Sequence, residues 1–247
     1  MITFERKYNR MFLRDVRDTI ETYKMIKSED RVAVGLSGGK DSVFLLFVLK
    51  LIQLTAIKDF TITGITIDMD LGMDFSPLKN FCDENEIPLI IEKTNIAHVV
   101  FNERKEKNPC SLCSKLRKGA LIRVAKANDL NKLALGHNSD DVIETLFMNV
   151  LKVGKLGTFH PNIYYRDKDI NIIRPLVKIR EDFIQKFVQD NNFPIIKNLC
   201  PEDKKTTREE MKNLLIKLEK LYPDAQKKIS KFFILTSLTN VDLKNMW

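Results

Sequence analysis

The hexapeptide Ser37-Gly-Gly-Lys-Asp-Ser42 has the residue types of an anion-binding loop. Two adjacent glycines let backbone N–H groups approach an oxyanion closely, and the start of a following helix adds the positive end of its dipole. Lys40 supplies a positive charge, and the two serines supply hydroxyl donors. A Walker A loop needs a wider glycine spacing and a hydroxyl residue after the lysine, where this chain has Asp41. A glycine turn without a ligand is the alternative, but it gives the lysine and the aspartate no purpose. The loop therefore predicts a phosphate site of another type.

A second polar segment, Gly136-His-Asn-Ser-Asp-Asp141, lies between a predicted strand and a predicted helix. Adjacent carboxylates beside a nucleotide suit a Mg²⁺ ion that contacts phosphate oxygens. Either Asp140 or Asp141 would also serve as an N-cap of the helix, which is the structural alternative for one of them. Capping does not account for both carboxylates together with His137, so we expect a functional role for the pair.

The four cysteines fall into different settings. Cys110 and Cys113 form a C-x-x-C pair, which is compatible with a thiol–disulfide couple, half of a zinc site or part of an iron–sulfur cluster. A zinc ribbon would need a second C-x-x-C or a histidine pair, and the sequence has neither. Cys82 lies in a helical pattern that favours a core position, whereas Cys200 lies in an irregular segment that can present a thiolate to a metal. Three cysteine ligands would leave one iron of a four-iron cluster open to an exogenous sulfur.

The elements that must position these residues alternate between strand-like and helix-like runs. Strands are predicted at Val32–Leu36, Thr61–Ile67, Pro88–Ile91, Lys132–Gly136 and Ile170–Arg174. Helices are predicted at Tyr8–Ser28, Val43–Leu54, Pro77–Asn85, Ser111–Asn128, Asp140–Val150 and Glu181–Gln189, followed by a helical C-terminal piece. This alternation predicts an open parallel sheet covered by helices. Because ligands of such sheets gather beyond the carboxyl ends of the strands, the loops after the first, second and fourth strands should meet at one site.

Length and composition fit one α/β domain in a chain of 247 residues, and a hydrophobic fraction of 44% excludes extensive disorder. The N-terminus is charged where a signal peptide would be apolar, and the most apolar stretch is too short for a membrane span, so we expect a cytoplasmic protein without membrane contact. A net charge of +8 and a pI near 9.2 fit a polyanionic partner, although a basic surface alone is common. We predict a helical segment 1–28, a nucleotide-binding domain 29–195 and a C-terminal helical segment 196–247 that carries Cys200.

Together these motifs resemble the PP-loop ATP pyrophosphatases, and among them the tRNA 2-thiocytidine synthetase family. The matching residues, in chain order, are Ser37–Ser42, Cys110-Ser-Leu-Cys113-Ser-Lys-Leu-Arg-Lys-Gly119, Leu135-Gly-His-Asn-Ser-Asp-Asp141, Ile173-Arg-Pro-Leu176 and Cys200. The related 2-thiouridine enzymes usually have zinc-binding cysteine motifs at both ends, which this chain lacks. The bacterial thiocytidine enzymes usually have a longer tail and a C-x-x-C at the third-ligand position, where this chain has Lys197 before Cys200.

The resemblance implies a Rossmann-like α/β fold of the adenine nucleotide alpha hydrolase type, with helices on both faces of an open parallel sheet and a C-terminal helical extension. It implies that ATP, Mg²⁺ and a [4Fe–4S] cluster are bound. The implied nucleotide-binding residues are Ser37, Gly38, Gly39, Lys40, Asp41, Ser42, Asp68, Gly136, His137 and Asp140. The implied catalytic residues are Lys40, Asp41 and Asp141. The implied cluster ligands are Cys110, Cys113 and Cys200.

The reaction that the resemblance implies is ATP-dependent thiolation at C2 of a tRNA pyrimidine, with 2-thiocytidine in the anticodon loop as the leading product. Its implied partners are tRNA and a sulfur donor such as a cysteine desulfurase persulfide or free sulfide, and a homodimer stays open. The basic residues after the C-x-x-C would then hold tRNA, although each alone is as well explained as a solvated surface residue. The alternatives are 2-thiouridine synthesis, sulfur chemistry on a small molecule, a lysidine-type synthetase without use for the cysteines, and a non-catalytic metal and RNA-binding protein.

Overall fold

The computed structural model describes residues 1–55, 58–105, 109–202 and 207–239. A six-stranded sheet with the order β3-β2-β1-β4-β6-β5 forms the centre of the fold. Its strands are β1 (Arg31–Gly35), β2 (Thr61–Asp68), β3 (Leu89–Lys93), β4 (Lys132–Ala134), β5 (Asn162–Tyr165) and β6 (Ile170–Ile173). All neighbouring pairs are parallel except β5 with β6, which is antiparallel. The predicted α/β fold with an open parallel sheet is confirmed, and the sheet has in addition one antiparallel edge strand, β5.

The edge strand β5 is the one strand that the sequence analysis missed. Tyr164 is exposed, and no position of the strand is fully buried. A strand buried this little has no apolar run of the kind that indicates β1 and β2. The predicted first strand lies one residue too late, and the predicted fourth and fifth strands extend past their observed ends to include Gly136 and Arg174. Both residues lie in the loops that form the site.

Ten α-helices are assigned within the described residues, several of them continued by short π-helical turns. They are α1 (Arg6–Tyr8), α2 (Arg14–Thr22), α3 (Lys40–Leu54), α4 (Ser76–Glu84), α5 (Ile96–His98), α6 (Pro109–Ala127), α7 (Ser139–Met148), α8 (Glu181–Asp190), α9 (Thr207–Leu221) and α10 (Ala225–Thr239). The π-helical turns are Asn9–Leu13, Val99–Arg104 and Asn149–Val153. None of the helices in the described ranges is long and apolar enough to cross a membrane.

Two apolar cores cover the two faces of the sheet. One includes Phe12, Phe44 and Phe187, so the N-terminal helical region packs against α3 and α8. The other includes Val100 and Ala125, from the side that α6 covers. The division of the chain into segments 1–28, 29–195 and 196–247 stays a prediction, and residues 203–206 and 240–247 of its last segment lie outside the described residues.

The loops after β1 and β4 meet because the sheet order reverses between these neighbouring strands. In open α/β sheets this switch point is where ligands bind. Gly136 follows β4, and a Cβ atom added there would lie 2.8 Å from the backbone oxygen of Asp41. Only a glycine therefore lets the β4 loop approach the start of α3 this closely.

Candidate active site

The predicted phosphate loop forms the turn between β1 and α3. Gly38 has a φ angle of +77°, which a residue with a side chain rarely adopts. Its carbonyl accepts a 2.9 Å hydrogen bond from the amide of Ile196, so the loop is fixed to the segment that leads to Cys200. The hydroxyl of Ser42 donates to the carbonyl of Gly39 at 2.8 Å. Lys40 begins α3, whose first amide groups point toward the turn, as the anion site requires.

Lys40 forms ion pairs with two carboxylates at the loop. Its Nζ lies 3.0 Å from Oδ2 of Asp41 and 2.8 Å from Oε1 of Glu181, the first residue of α8. Burial acts to lower the pKa of Lys40, but Asp41 and Glu181 outweigh it and raise that pKa. Glu181 also lies 2.6 Å from Nζ of Lys212 on α9, and the two lysines hold its pKa below the usual value against the effect of burial. The lysine is therefore a fixed positive charge.

Asp141 lies in the first turn of α7 and takes part in a capping box. Its Oδ2 accepts from the backbone amide of Asn138 at 2.9 Å, and the Asn138 side chain accepts from the amides of Asp140 and Asp141. The Asn138 amide group also donates to Oδ1 of Asp41 at 3.0 Å, which joins the two predicted acidic positions. The other oxygen of Asp141 is paired with Arg208 of α9. Burial raises the pKa of Asp141, and the Arg208 guanidinium opposes that rise.

Asp140 points away from Asp141. Its Oδ2 accepts a 2.8 Å hydrogen bond from the backbone amide of Glu181, and its Oδ1 lies 3.3 Å from Arg180. Neighbouring residues of an α-helix point about 100° apart, and here the two carboxylates contact different partners. The geometry assigns Asp140 a contact with the start of α8, and its proposed place in the nucleotide site gains no support.

His137 is partly buried and packs against Arg174 and Phe159. The Arg174 Nε donates to Nδ1 of His137 at 3.3 Å, and the His137 and Phe159 ring centroids are 4.8 Å apart. Burial, together with the charges of Arg174 and Arg208, lowers the pKa of His137 to about 3. The imidazole is therefore neutral at physiological pH, and the Arg174 contact places its remaining proton on Nε2.

One cavity of about 700 Å³ connects the phosphate loop with the cysteines. Its walls include Ser37, Asp41, Ser42, Gly136, His137, Cys110, Cys113, Cys200, Arg117, Lys118, Arg174 and Arg208. A cavity of this size is large enough for a nucleotide or a splayed base. The phosphate loop, the start of the Gly136–Asp141 segment and the three cysteines, which are distant in the sequence, therefore line one cavity.

Cys110, Cys113 and Cys200 all line this cavity, while Cys82 is fully buried in the core between α4 and the sheet. Burial raises the pKa of Cys110 and Cys113, Arg117 opposes the rise at Cys113, and the charge of a Cys200 thiolate adds to the rise at both. Thiolates this close repel one another, and a shared metal centre offsets the repulsion and stabilises all three in the deprotonated form. The donor set therefore fits an iron–sulfur cluster.

Among the described residues, no three His, Cys, Asp or Glu side chains are grouped as they would be around a single metal ion. A four-iron cluster is larger than one ion, and each of its thiolate ligands binds a different iron, so its ligands stand further apart.

Asp68 and part of the basic run after the C-x-x-C do not line the cavity as the sequence predicted. Asp68 ends β2, and its carboxylate accepts from the backbone amide of Asp70 at 2.9 Å, while its neighbours Ile67 and Met69 line the cavity. In the basic run after the C-x-x-C, Arg117 and Lys118 line the cavity and Lys115 is exposed. Arg123 is instead paired with Glu92 at 2.9 Å. These roles stay predictions.

Four residues of the site were not predicted from the sequence: Arg174, Glu181, Arg208 and Lys212. Arg174 is 7% exposed and donates through Nη1 to the carbonyl of His160 at 2.6 Å, so it supports the wall that holds His137. The signal for Arg174 was present, because it belongs to the matching Ile173-Arg-Pro-Leu176 segment. Glu181, Arg208 and Lys212 form ion pairs with residues that are distant in the chain, and no pattern of spacing in the sequence indicates such pairs.

A family model described as "PP-loop domain" matches residues 3–219. The tRNA-cytidine(32) 2-sulfurtransferase of Coxiella burnetii (strain RSA 493 / Nine Mile phase I) is 36% identical over 226 residues, which cover 89% of this chain and 87% of that protein. The tRNA-cytidine(32) 2-sulfurtransferase 1 of Francisella philomiragia is 36% identical over 229 residues, 92% of this chain and 88% of that protein. The chain belongs to the PP-loop family of tRNA-cytidine(32) 2-sulfurtransferases. The family assignment made from the motifs is confirmed.

Two solved structures place this family member in its wider fold. The U34-tRNA thiolase NcsA from Methanococcus maripaludis, solved with its [4Fe–4S] cluster, superposes with a TM-score of 0.74 at 26% identity. The match covers 92% of this chain and 78% of the thiolase. The NH3-dependent NAD synthetase from Campylobacter jejuni superposes with a TM-score of 0.51 over 98% of this chain and 96% of that one, but at 11% identity it shows the shared fold alone.

Proposed function

We propose that this protein is an ATP-dependent tRNA sulfurtransferase that replaces the C2 oxygen of a cytidine in the anticodon loop, position 32, with sulfur. The observation that carries the proposal is the common cavity, since the phosphate loop and three cysteines line the same space. Relatives at 36% identity over most of both chains carry this activity in their names. The cavity holds the two kinds of chemistry that the reaction needs, activation of an oxygen and delivery of sulfur.

Activation begins with attack by the cytosine C2 oxygen on the α-phosphorus of ATP. The new O–P bond forms as the bond to the β-phosphate oxygen breaks, and pyrophosphate leaves with the electron pair. Backbone amides of the loop and the ammonium of Lys40 would stabilise the negative charge that develops on pyrophosphate. Asn138 connects Asp141, which accepts from its backbone amide, with Asp41, which accepts from its side-chain amide, and the two carboxylates would hold Mg²⁺ against the phosphate oxygens.

Substitution then requires a sulfur nucleophile at the activated C2 atom. Cys110, Cys113 and Cys200 would hold a [4Fe–4S] cluster, which would supply the sulfur for this step. Formation of the C–S bond and loss of AMP complete the exchange of oxygen for sulfur. The neutral imidazole of His137 and the Arg174 side chain would keep the cavity wall fixed beside the base.

Access of tRNA would come from the side of α6, where Lys115 is exposed and Arg117 and Lys118 line the cavity. Phosphate contacts of lysine and arginine position RNA, and a loop base costs little to unstack. We propose further that the protein acts in the cytoplasm, and that the sulfur comes from free sulfide or from a persulfide together with a thiol that reduces its outer sulfur to the level of sulfide.

Thiolation of a uridine is the second candidate, and the U34-tRNA thiolase with a TM-score of 0.74 is the observation that favours it. The two functions differ in the acceptor base and in its position in the tRNA. The direct test is to supply ATP, sulfide and a tRNA transcript to anaerobically prepared protein and identify the nucleotide products. Formation of AMP and pyrophosphate that requires cytidine at position 32 supports the proposal. Formation of ADP, or turnover that is indifferent to a uridine at that position, contradicts it.

A further inference from the structure

Arg208 links the C-terminal helices to the acids of the nucleotide site. Its Nη1 is paired with Oδ1 of Asp141, and its Nε lies 3.7 Å from Oε2 of Glu144. The same side chain lines the cavity, together with the phosphate-loop residue Ser37 and with Cys200. Among the described residues, Arg208 is the only cation that forms an ion pair with Asp141 or Glu144.

The two sides of this contact differ in burial. The side chains of Asp141 and Glu144 are 16% and 5% exposed, whereas that of Arg208 is 43% exposed. Buried carboxylates need a compensating cation, because an unpaired buried charge is costly. A half-exposed guanidinium can move away at little cost, provided that another cation takes its place.

Asp141 is also the acid to which the proposed function assigns Mg²⁺. Its Oδ2 already accepts a hydrogen bond from the backbone amide of Asn138, so Oδ1 is the better placed oxygen for a metal, and Oδ1 is the oxygen that is paired with Arg208. Metal and guanidinium therefore compete for one atom. A guanidinium released into this cavity meets the phosphate groups, for which its planar set of donors is well suited.

We propose that Arg208 is an exchangeable counter-ion, which neutralises Asp141 in the free protein and moves to the nucleotide phosphates when Mg²⁺–ATP binds. The proposal rests on the proposed function, since it assumes that Mg²⁺ and ATP occupy this cavity. Arg208 would thus bind Asp141 before the nucleotide arrives and the phosphates afterwards.

The exchange predicts shifts of opposite sign in Arg208→Gln. Free of its competitor, Asp141 should bind Mn²⁺, used as the probe for Mg²⁺, several-fold more tightly in the nucleotide-free protein. Binding of α,β-methylene ATP at saturating Mn²⁺ should weaken about tenfold, because a charged hydrogen-bond donor to the phosphates is lost. Electron paramagnetic resonance of free Mn²⁺ and calorimetry of the nucleotide analogue measure the two effects on the complete chain.

Two variants control for the fold. Arg208→Lys keeps a charge and should retain part of the nucleotide affinity, and Lys217→Gln on the exposed side of α9 should change neither constant. Weakening of both ligands together in Arg208→Gln, or no change in either, overturns the exchange. Neither measurement uses tRNA or the cluster. Opposite shifts without tRNA thiolation would refute the proposed function and leave the exchange standing, while thiolation without the shifts would refute the exchange alone.

Discussion

Nζ of Lys40 and Oε1 of Glu181 lie 2.8 Å apart, although the two residues are separated by 141 positions in the chain. The second oxygen of Glu181 is held by Lys212 on α9. One glutamate at the start of α8 therefore connects the phosphate loop to the C-terminal helices. The position of the lysine that would face pyrophosphate is set by residues from three distant parts of the sequence.

Replacement of Lys40 by alanine should abolish chemistry without unfolding the protein. We expect pyrophosphate release to fall by roughly a hundredfold or more, because a preorganised charge at the developing anion is lost. The free energy of unfolding should fall by no more than about 1 kcal/mol, since Glu181 keeps Lys212 as a partner. Stopped assays of pyrophosphate and urea titrations measure the two quantities. Lys50→Ala, on the same helix and outside the cavity, is the control. Equal losses in both variants would exclude a specific role for Lys40.

Gly38→Ala should damage the site far more than Gly72→Ala. The two glycines have φ angles of +77° and +73°, so alanine meets similar backbone strain at both. A Cβ at position 38 would also lie 2.7 Å from Cβ of Ile196, whereas position 72 has open space. We therefore expect Gly38→Ala to displace the segment before Cys200 and to lose both nucleotide affinity and iron content. Similar iron content and ATP affinity in the two variants would show that the contact with Ile196 is unimportant.

Alanine at Cys110, Cys113 or Cys200 should remove the cluster, and alanine at Cys82 should leave it in place. The first three line one cavity, and Cys82 is enclosed by the apolar core. Iron and sulfide analysis of anaerobically purified protein, with the broad absorbance of a cluster as a second readout, distinguishes the variants. Cys82→Ala should also cost about 1 kcal/mol or more of stability by leaving a small cavity. Loss of iron in Cys82→Ala combined with full iron in Cys200→Ala would show that the ligands are misassigned.

Glu144 should make stability depend on pH. Burial raises its pKa from 4.5 to about 7, with Arg208 opposing the rise and Asp141 adding to it. Folding therefore favours the protonated acid, and the contribution of Glu144 to the free energy of unfolding should fall as the pH rises from about 4.5 to about 7. The loss is on the order of 2–3 kcal/mol. Glu144→Gln should be more stable than the wild type at pH 8 and similar to it at pH 4.5.

Urea unfolding across this range tests the effect, with the exposed Glu210→Gln as a matched control. A constant difference between Glu144→Gln and the wild type from pH 4.5 to pH 8 would mean that Glu144 does not titrate in this range.

The sequence predicted the parts of the fold that depend on local patterns. Buried strands such as β1 are continuous apolar runs, and glycines mark the turns that follow them, so the meeting of Ser37–Ser42 with Gly136 follows from sheet topology. The edge strand β5 was missed because an exposed strand has no such run. Asp140 and Asp141 were treated alike because adjacent letters do not reveal that α7 turns them toward different neighbours.

The ion pairs of the site could not be predicted from the sequence. Arg208 meets Asp141 from 67 positions away, and nothing in the spacing of charged residues selects that pair among many others. Such contacts depend on how α9 packs against α7, which only the assembled fold determines. The neutral state of His137 is of the same kind, since burial against Arg174 and Phe159 sets its pKa.

Mass spectrometry of tRNA nucleosides tests the central claim most directly. Anaerobic protein with its cluster reconstituted, ATP, sulfide and a tRNA transcript with cytidine at position 32 should yield 2-thiocytidine at that position. Omission of ATP, or the use of Lys40→Ala or Cys200→Ala protein, should prevent its formation. Sulfur in a uridine, or in a free nucleoside as readily as in folded tRNA, would contradict this function. It would mean that the phosphate loop and the cysteines serve a different thiolation reaction.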